Sequence, residues 1–136
     1  MPDSPPAFTY RITVRFRDCD LYGHVNNAVY FTYFEQTRLA WWHSLSGTVG
    51  FPGAGTVIVH AECDYRAPAF VHDDLDVHLT LINIGRSSVA IGYEVVNAAT
   101  GQRLAEGKTV NVTVDPDRGS TVPVPDAARA LLAQGR

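Results

Sequence analysis

Residues 18–27, Asp18-Cys19-Asp20-Leu21-Tyr22-Gly23-His24-Val25-Asn26-Asn27, place two carboxylates and an imidazole on a glycine-containing turn that feeds a helix start. A carboxylate facing a helix N-terminus supplies both halves of a hydrolytic centre. Its oxygen attacks or takes a proton from water, and free backbone N–H groups with their dipole hold a developing oxyanion. Asp20 fits the first role, and its position leaves nucleophile and general base both open. His24 either orients substrate or Asp20, or is bonded within its own turn. The purely structural reading of Asp20 is a turn residue capping its own backbone, a common use of Asp before a glycine turn. Asp18 reads as structural, solvated or paired with an Arg. Asp18, Asp20 and His24 also have donor types that suit a divalent ion, but no second cluster of ligands accompanies them, and no metal or other cofactor is expected. The absence of Gly-x-Ser-x-Gly weakens a Ser-His-Asp alternative.

The elements around this turn follow from periodicity. Arg11 to Arg17 alternates polar and apolar residues as a half-buried strand does. Asn26 or Asn27 is a natural N-cap, and Ala28 to Leu45 holds no Gly or Pro, so a helix of about 17 residues is expected there. Tyr30, Phe34, Trp41 and Leu45 lie on one side of it, with Phe31 and Trp42 beside them. Arg38 breaks this apolar side, and the polar arc is only Thr32, Glu35, Gln36 and His43. A helix so apolar is expected to be surrounded by other structure, the alternative being a surface helix with one thick apolar face. Gly47 to Gly55 is a loop. Strands follow at 57–65, 75–84, 89–97 and 104–114, each with one apolar face: Val57, Val59, Ala61, Cys63 and Tyr65 in the first, and Val110, Val112 and Val114 in the last. Their short connections suit antiparallel hairpins, and Ala127 to Ala133 reads as a short helix opened by Pro125-Asp126. One apolar helix and five strands pack most simply as an antiparallel sheet curled around the helix, an α+β arrangement.

Composition narrows the function classes. The 136 residues suit one domain, 9–136, after a disordered tail at 1–8. A formal charge of −3 gives no electrostatic case for nucleic acid. The start lacks the basic segment and apolar core of a signal peptide, and no apolar run reaches spanning length, so a cytoplasmic protein with no membrane partner is expected. Cys19 and Cys63 fit neither a disulfide scaffold nor a zinc spacing and read as reduced thiols.

Asp18-Cys19-Asp20, Gly23-His24-Val25-Asn26-Asn27-Ala28 and Tyr30 together resemble the hotdog-fold thioesterases of the 4-hydroxybenzoyl-CoA thioesterase class. The likeness extends to Asp64-Tyr65-Arg66-Ala67-Pro68-Ala69, to the Gly85-Arg86-Ser87-Ser88 hairpin and to Val112-Thr113-Val114-Asp115. It implies a hotdog fold, a five-stranded antiparallel sheet wrapped around a long central helix, assembled as a homodimer or homotetramer. It also implies hydrolysis of acyl-CoA or acyl-carrier-protein thioesters without metal or redox cofactor. Asp20 falls on the family's catalytic carboxylate, and Asn27 on the position whose backbone amide binds the thioester oxygen, where some members carry His or Tyr. His24 with Asn26 and Asn27 is similar to the acyl-CoA and carrier-protein branches more than to the aromatic-acyl branch. Tyr30, with Phe34 and Trp41, is the candidate for the acyl chain. Arg66 and Arg86 are the candidates for CoA phosphates, because guanidinium forks suit phosphate. Thr56, His60 and Glu62 either line a partner's cleft or face water. A non-catalytic acyl-CoA-binding or regulatory hotdog protein is the alternative, and a dehydratase or hydratase a third reading.

Overall fold

The computed structural model describes residues 5–134. The elements run β1 (Phe8–Thr13), a single 3-10 turn (Phe16–Asp18), α1 (Val29–Ser46), β2 (Gly55–Tyr65), β3 (Asp74–Ile84), β4 (Ser88–Asn97), β5 (Arg103–Val114) and α2 (Asp126–Gln134). One antiparallel sheet takes the order β1-β3-β4-β5-β2. Tight connections at 85–87 and 98–102 make β3, β4 and β5 neighbours. The strands flanking α1, β1 and β2, are left with the two edges.

α1 lies across one sheet face. Its inner side buries Tyr30, Tyr33, Phe34, Thr37, Arg38, Trp41 and Trp42 against Leu75, Val77, Leu79, Val89, Ile91 and Val95. Phe34 stacks on Tyr93 at 4.3 Å between ring centroids and fills the space a Cβ on residue 107 would need, so β5 carries glycine there. Gly47, at φ 74°, ends the helix by returning its N–H to the His43 carbonyl. Within one chain the helix is not enclosed: Thr32, Glu35, Gln36, Leu39 and His43 remain exposed. No described helix is long and apolar enough to cross a membrane.

Several expectations shift. The first strand ends at Thr13, not Arg17, because Arg15 and Asp18 close the 3-10 turn on each other. The tail expected at 1–8 lies partly outside the described residues, and within them the Ala7 N–H already reaches the Leu79 carbonyl and Phe8 pairs with Leu79. Ala28, not an asparagine, is the helix N-cap residue; the Asn26 side chain accepts the Ala28 N–H from two residues before it. A register shift between Ile58 and His60 bulges β2, leaving Val59 59 % exposed and turning Ile58 to the side of Ala61. In the second half of β5 the buried positions are Thr109, Asn111, Thr113 and Val114, while Val110 and Val112 are only half-buried.

Candidate active site

The turn carrying Asp20 is a small closed hairpin. Cys19 bridges Val25, the Asp20 N–H bonds the His24 carbonyl at 2.7 Å, and the Gly23 N–H bonds the Asp20 carbonyl at 3.1 Å. Gly23 sits at φ 79°, a conformation that favours glycine at this position. The hairpin is held from outside by the Val25 N–H on the Ala69 carbonyl and by the His24–Phe70 bridge. One carboxylate oxygen of Asp20 accepts the Tyr22 and His24 N–H groups at 2.9 and 3.3 Å. Among the described residues its other oxygen meets no donor. His24 therefore steadies Asp20 through its backbone, while its ring packs edge-on to Phe70 at 5.1 Å.

Asp20, His24, Asn27, Tyr30, Tyr65 and Arg66 line one cavity of about 280 Å³. Five of the sequence candidates thus meet, drawn from the turn, the start of α1 and the end of β2, whereas Phe34 and Trp41 lie in the core and do not line this cavity. The Tyr65 hydroxyl donates to the Asn27 carbonyl at 2.8 Å and its ring meets Tyr30 at 5.3 Å, which orients the peptide at the head of the helix. Tyr65 was not a candidate; its contact spans 38 residues, and only its place beside Arg66 in the family-like segment hinted at it. Burial, then Cys63 and Tyr65, push the Tyr30 hydroxyl up to about 12, so it stays protonated at the cavity wall. Burial likewise pushes the Cys63 thiol up to about 11, leaving it unreactive. Arg66 keeps Glu106 at 3.6 Å and remains more than half exposed at the rim.

Two residues stand apart. Asp18 turns inward: its carboxylate accepts the Tyr33 hydroxyl at 2.9 Å and the Arg15 N–H and guanidinium at 3.0 and 2.9 Å, and its carbonyl takes the Asn26 N–H. It ties both ends of the hairpin to α1 and does not face Asp20. Among the described residues no group of three metal-binding side chains forms. Arg86 occupies the β3–β4 hairpin, where Ser88 pairs with Val112, whereas Tyr65 pairs with Ala105. Seven residues of β5 separate the two ends, about 24 Å at strand rise, so Arg86 does not line its own chain's cavity. His60 and Glu62 pair with each other at 2.7 Å on the exposed side of β2.

The sequence profile of the thioesterase-like superfamily matches residues 14–132. The chain belongs to that superfamily. This thioesterase is 33 % identical over 134 residues to the 1,4-dihydroxy-2-naphthoyl-CoA hydrolase of Nostoc punctiforme, covering 96 % of this chain and 89 % of the relative. It is 28 % identical over 110 residues to the long-chain acyl-CoA thioesterase FadM of Escherichia coli, covering 77 % and 81 %. A Thermus thermophilus thioesterase solved with coenzyme A and Zn superposes with a TM-score of 0.85 at 32 % identity, covering 96 % of this chain and 94 % of that one. The fold is the hotdog fold, and the activity class is thioester hydrolysis.

Proposed function

We propose that the thioesterase cleaves acyl-CoA at the cavity between the Asp20 hairpin and the head of α1, with Asp20 as the catalytic carboxylate and the Asn27 N–H as oxyanion donor. The observation carrying this is the half-free carboxylate: two backbone N–H groups fix one oxygen, and the other is available in the cavity that Asn27 also lines. Asp20 either attacks the carbonyl carbon, expelling CoA as thiolate and leaving an anhydride for water to open, or takes a proton from water that attacks instead. A thiol of pKa near 8.5, if cysteine is a guide, leaves without a general acid. Tyr30 borders the acyl path, Arg66 stands at the rim for phosphate, and Arg86 serves the cleft of a second subunit.

That second subunit docks on β2. The strand is an unpaired edge of 11 residues whose Val57 and Val59 are 48 % and 59 % exposed, a surface that invites pairing with a copy of itself. Thiol release from a panel of acyl-CoA and acyl-carrier-protein esters tests the assignment. Turnover of CoA esters is expected; tight binding without turnover would leave the non-catalytic alternative.

A further inference from the structure

A second cavity, of about 250 Å³, is lined by Phe31, Thr32, Glu35, Arg38, Ile58, Ala61 and Thr109. Like the Asp20 cavity it has walls from both α1 and β2. Glu35 and Arg38 lie about 12 and 16 Å beyond Asn27 along the helix axis at 1.5 Å per residue, a span for the body of an acyl group.

The floor of this cavity is out of character with the core around it. Arg38 is 8 % exposed, a guanidinium on the buried side of α1. Among the described residues its one ion-pair partner is Glu35, whose carboxylate is 3.9 Å away, beyond hydrogen-bonding distance, and whose side chain is 57 % exposed. Among the described residues the sheet side offers no counter-charge, only a string of neutral groups: the Tyr93 hydroxyl faces the guanidinium as a hydrogen-bond acceptor and bonds Thr109 at 2.8 Å, and Thr109 donates to Asn111 at 3.4 Å. A buried charge without a close counter-charge is costly, and an apolar residue of similar volume is often as stable or more so. Packing alone therefore gives no reason for Arg38, and the open space above it gives one. A guanidinium fork matches a carboxylate, and Glu35, more than half in solvent, can turn to water when another anion arrives.

We propose that Arg38 receives an anionic oxygen at the far end of the acyl group, making the thioesterase selective for ω-carboxyacyl-CoA esters over plain acyl chains of the same length. The proposal rests on the Asp20-centred reading above. Arg38 sets specificity and takes no part in the bond cleavage, in which the thioester C–S bond breaks as before.

The test is kcat/KM for thiol release from suberoyl-CoA and sebacoyl-CoA against octanoyl-CoA and decanoyl-CoA. The purified enzyme should favour at least one carboxyl ester by about tenfold or more, the discrimination expected of a charge-assisted hydrogen bond. Arg38→Met should reduce that ratio to about two or below, and Glu35→Gln, which removes the competing carboxylate, should raise it. Equal efficiency within both pairs overturns the proposal while leaving the thioesterase reading intact, as does a ratio that survives in folded Arg38→Met. Should Arg38→Met fail to fold, a ratio unmoved by Glu35→Gln overturns it. Thiol release from none of the four esters overturns the thioesterase reading and this proposal with it.

Discussion

Asp18, two residues before the proposed catalytic carboxylate, contributes to stability in a way that pH can expose. Burial pushes its carboxyl up, but hydrogen bonds from the Arg15 side chain and backbone and from Tyr33 outweigh that and hold it below the usual carboxylate range. A carboxyl with a depressed folded pKa contributes stability that is complete above its unfolded value, near 3.9, and is lost as pH falls through the folded value. The stability gap between wild type and Asp18→Asn should thus be steady from pH 8 to about 5 and narrow below about 4. Urea titrations across that range check it, and a gap unchanged at pH 2.5 would show that the charge is not what stabilises. Tyr33→Phe, which removes one bond to this carboxylate, should cost about 2 kcal/mol without changing the residues that line the Asp20 cavity.

At the scale of elements, the closest fit is α1 on the sheet at Gly107. A Cβ there would collide with the Phe34 ring and the Glu62 carbonyl, so Gly107→Ala should lower stability by about 1–3 kcal/mol as an overpacked core does. A thermal melt unchanged from wild type would mean that the helix has room to move. Alternation made β3 and β4 legible: Leu75, Val77 and Leu79, and Val89, Ile91, Tyr93 and Val95, are the buried residues it names. The same alternation misplaces part of the second half of β5, because valines at 110 and 112 suggest the inner face that Thr109 and Asn111 in fact take, Thr109 bonding Tyr93 and lining the Arg38 cavity. A polar floor beneath a helix has no local signature. Neither has the bulge at Val59, which is set by pairing with β5. Asp20, His24, Asn27 and Tyr30 were readable as a site because they are neighbours in sequence. Tyr65 was not, since it reaches Asn27 only through the return of β2.

The whole molecule is proposed to work as an assembly of copies. Among the described residues β2 leaves its outer hydrogen-bonding groups open beside exposed Val57 and Val59, and Arg86 lies far from the cavity of its own chain. The second copy proposed to dock on β2 would pair that open edge and bring its Arg86 to a shared cleft, so sedimentation at micromolar concentration should give a dimer or larger; a fully active monomer would contradict the shared cleft. The central claim, that the Asp20 carboxylate performs the hydrolysis, is reached most directly by the turnover of Asp20→Asn on acyl-CoA. An amide keeps the volume and the oxygen that accepts the Tyr22 and His24 N–H groups, so the fold should be unchanged by circular dichroism and melting. Turnover should fall by at least about a hundredfold, the lower end of a general-base contribution. A folded Asp20→Asn enzyme retaining more than half of wild-type turnover would contradict the assignment.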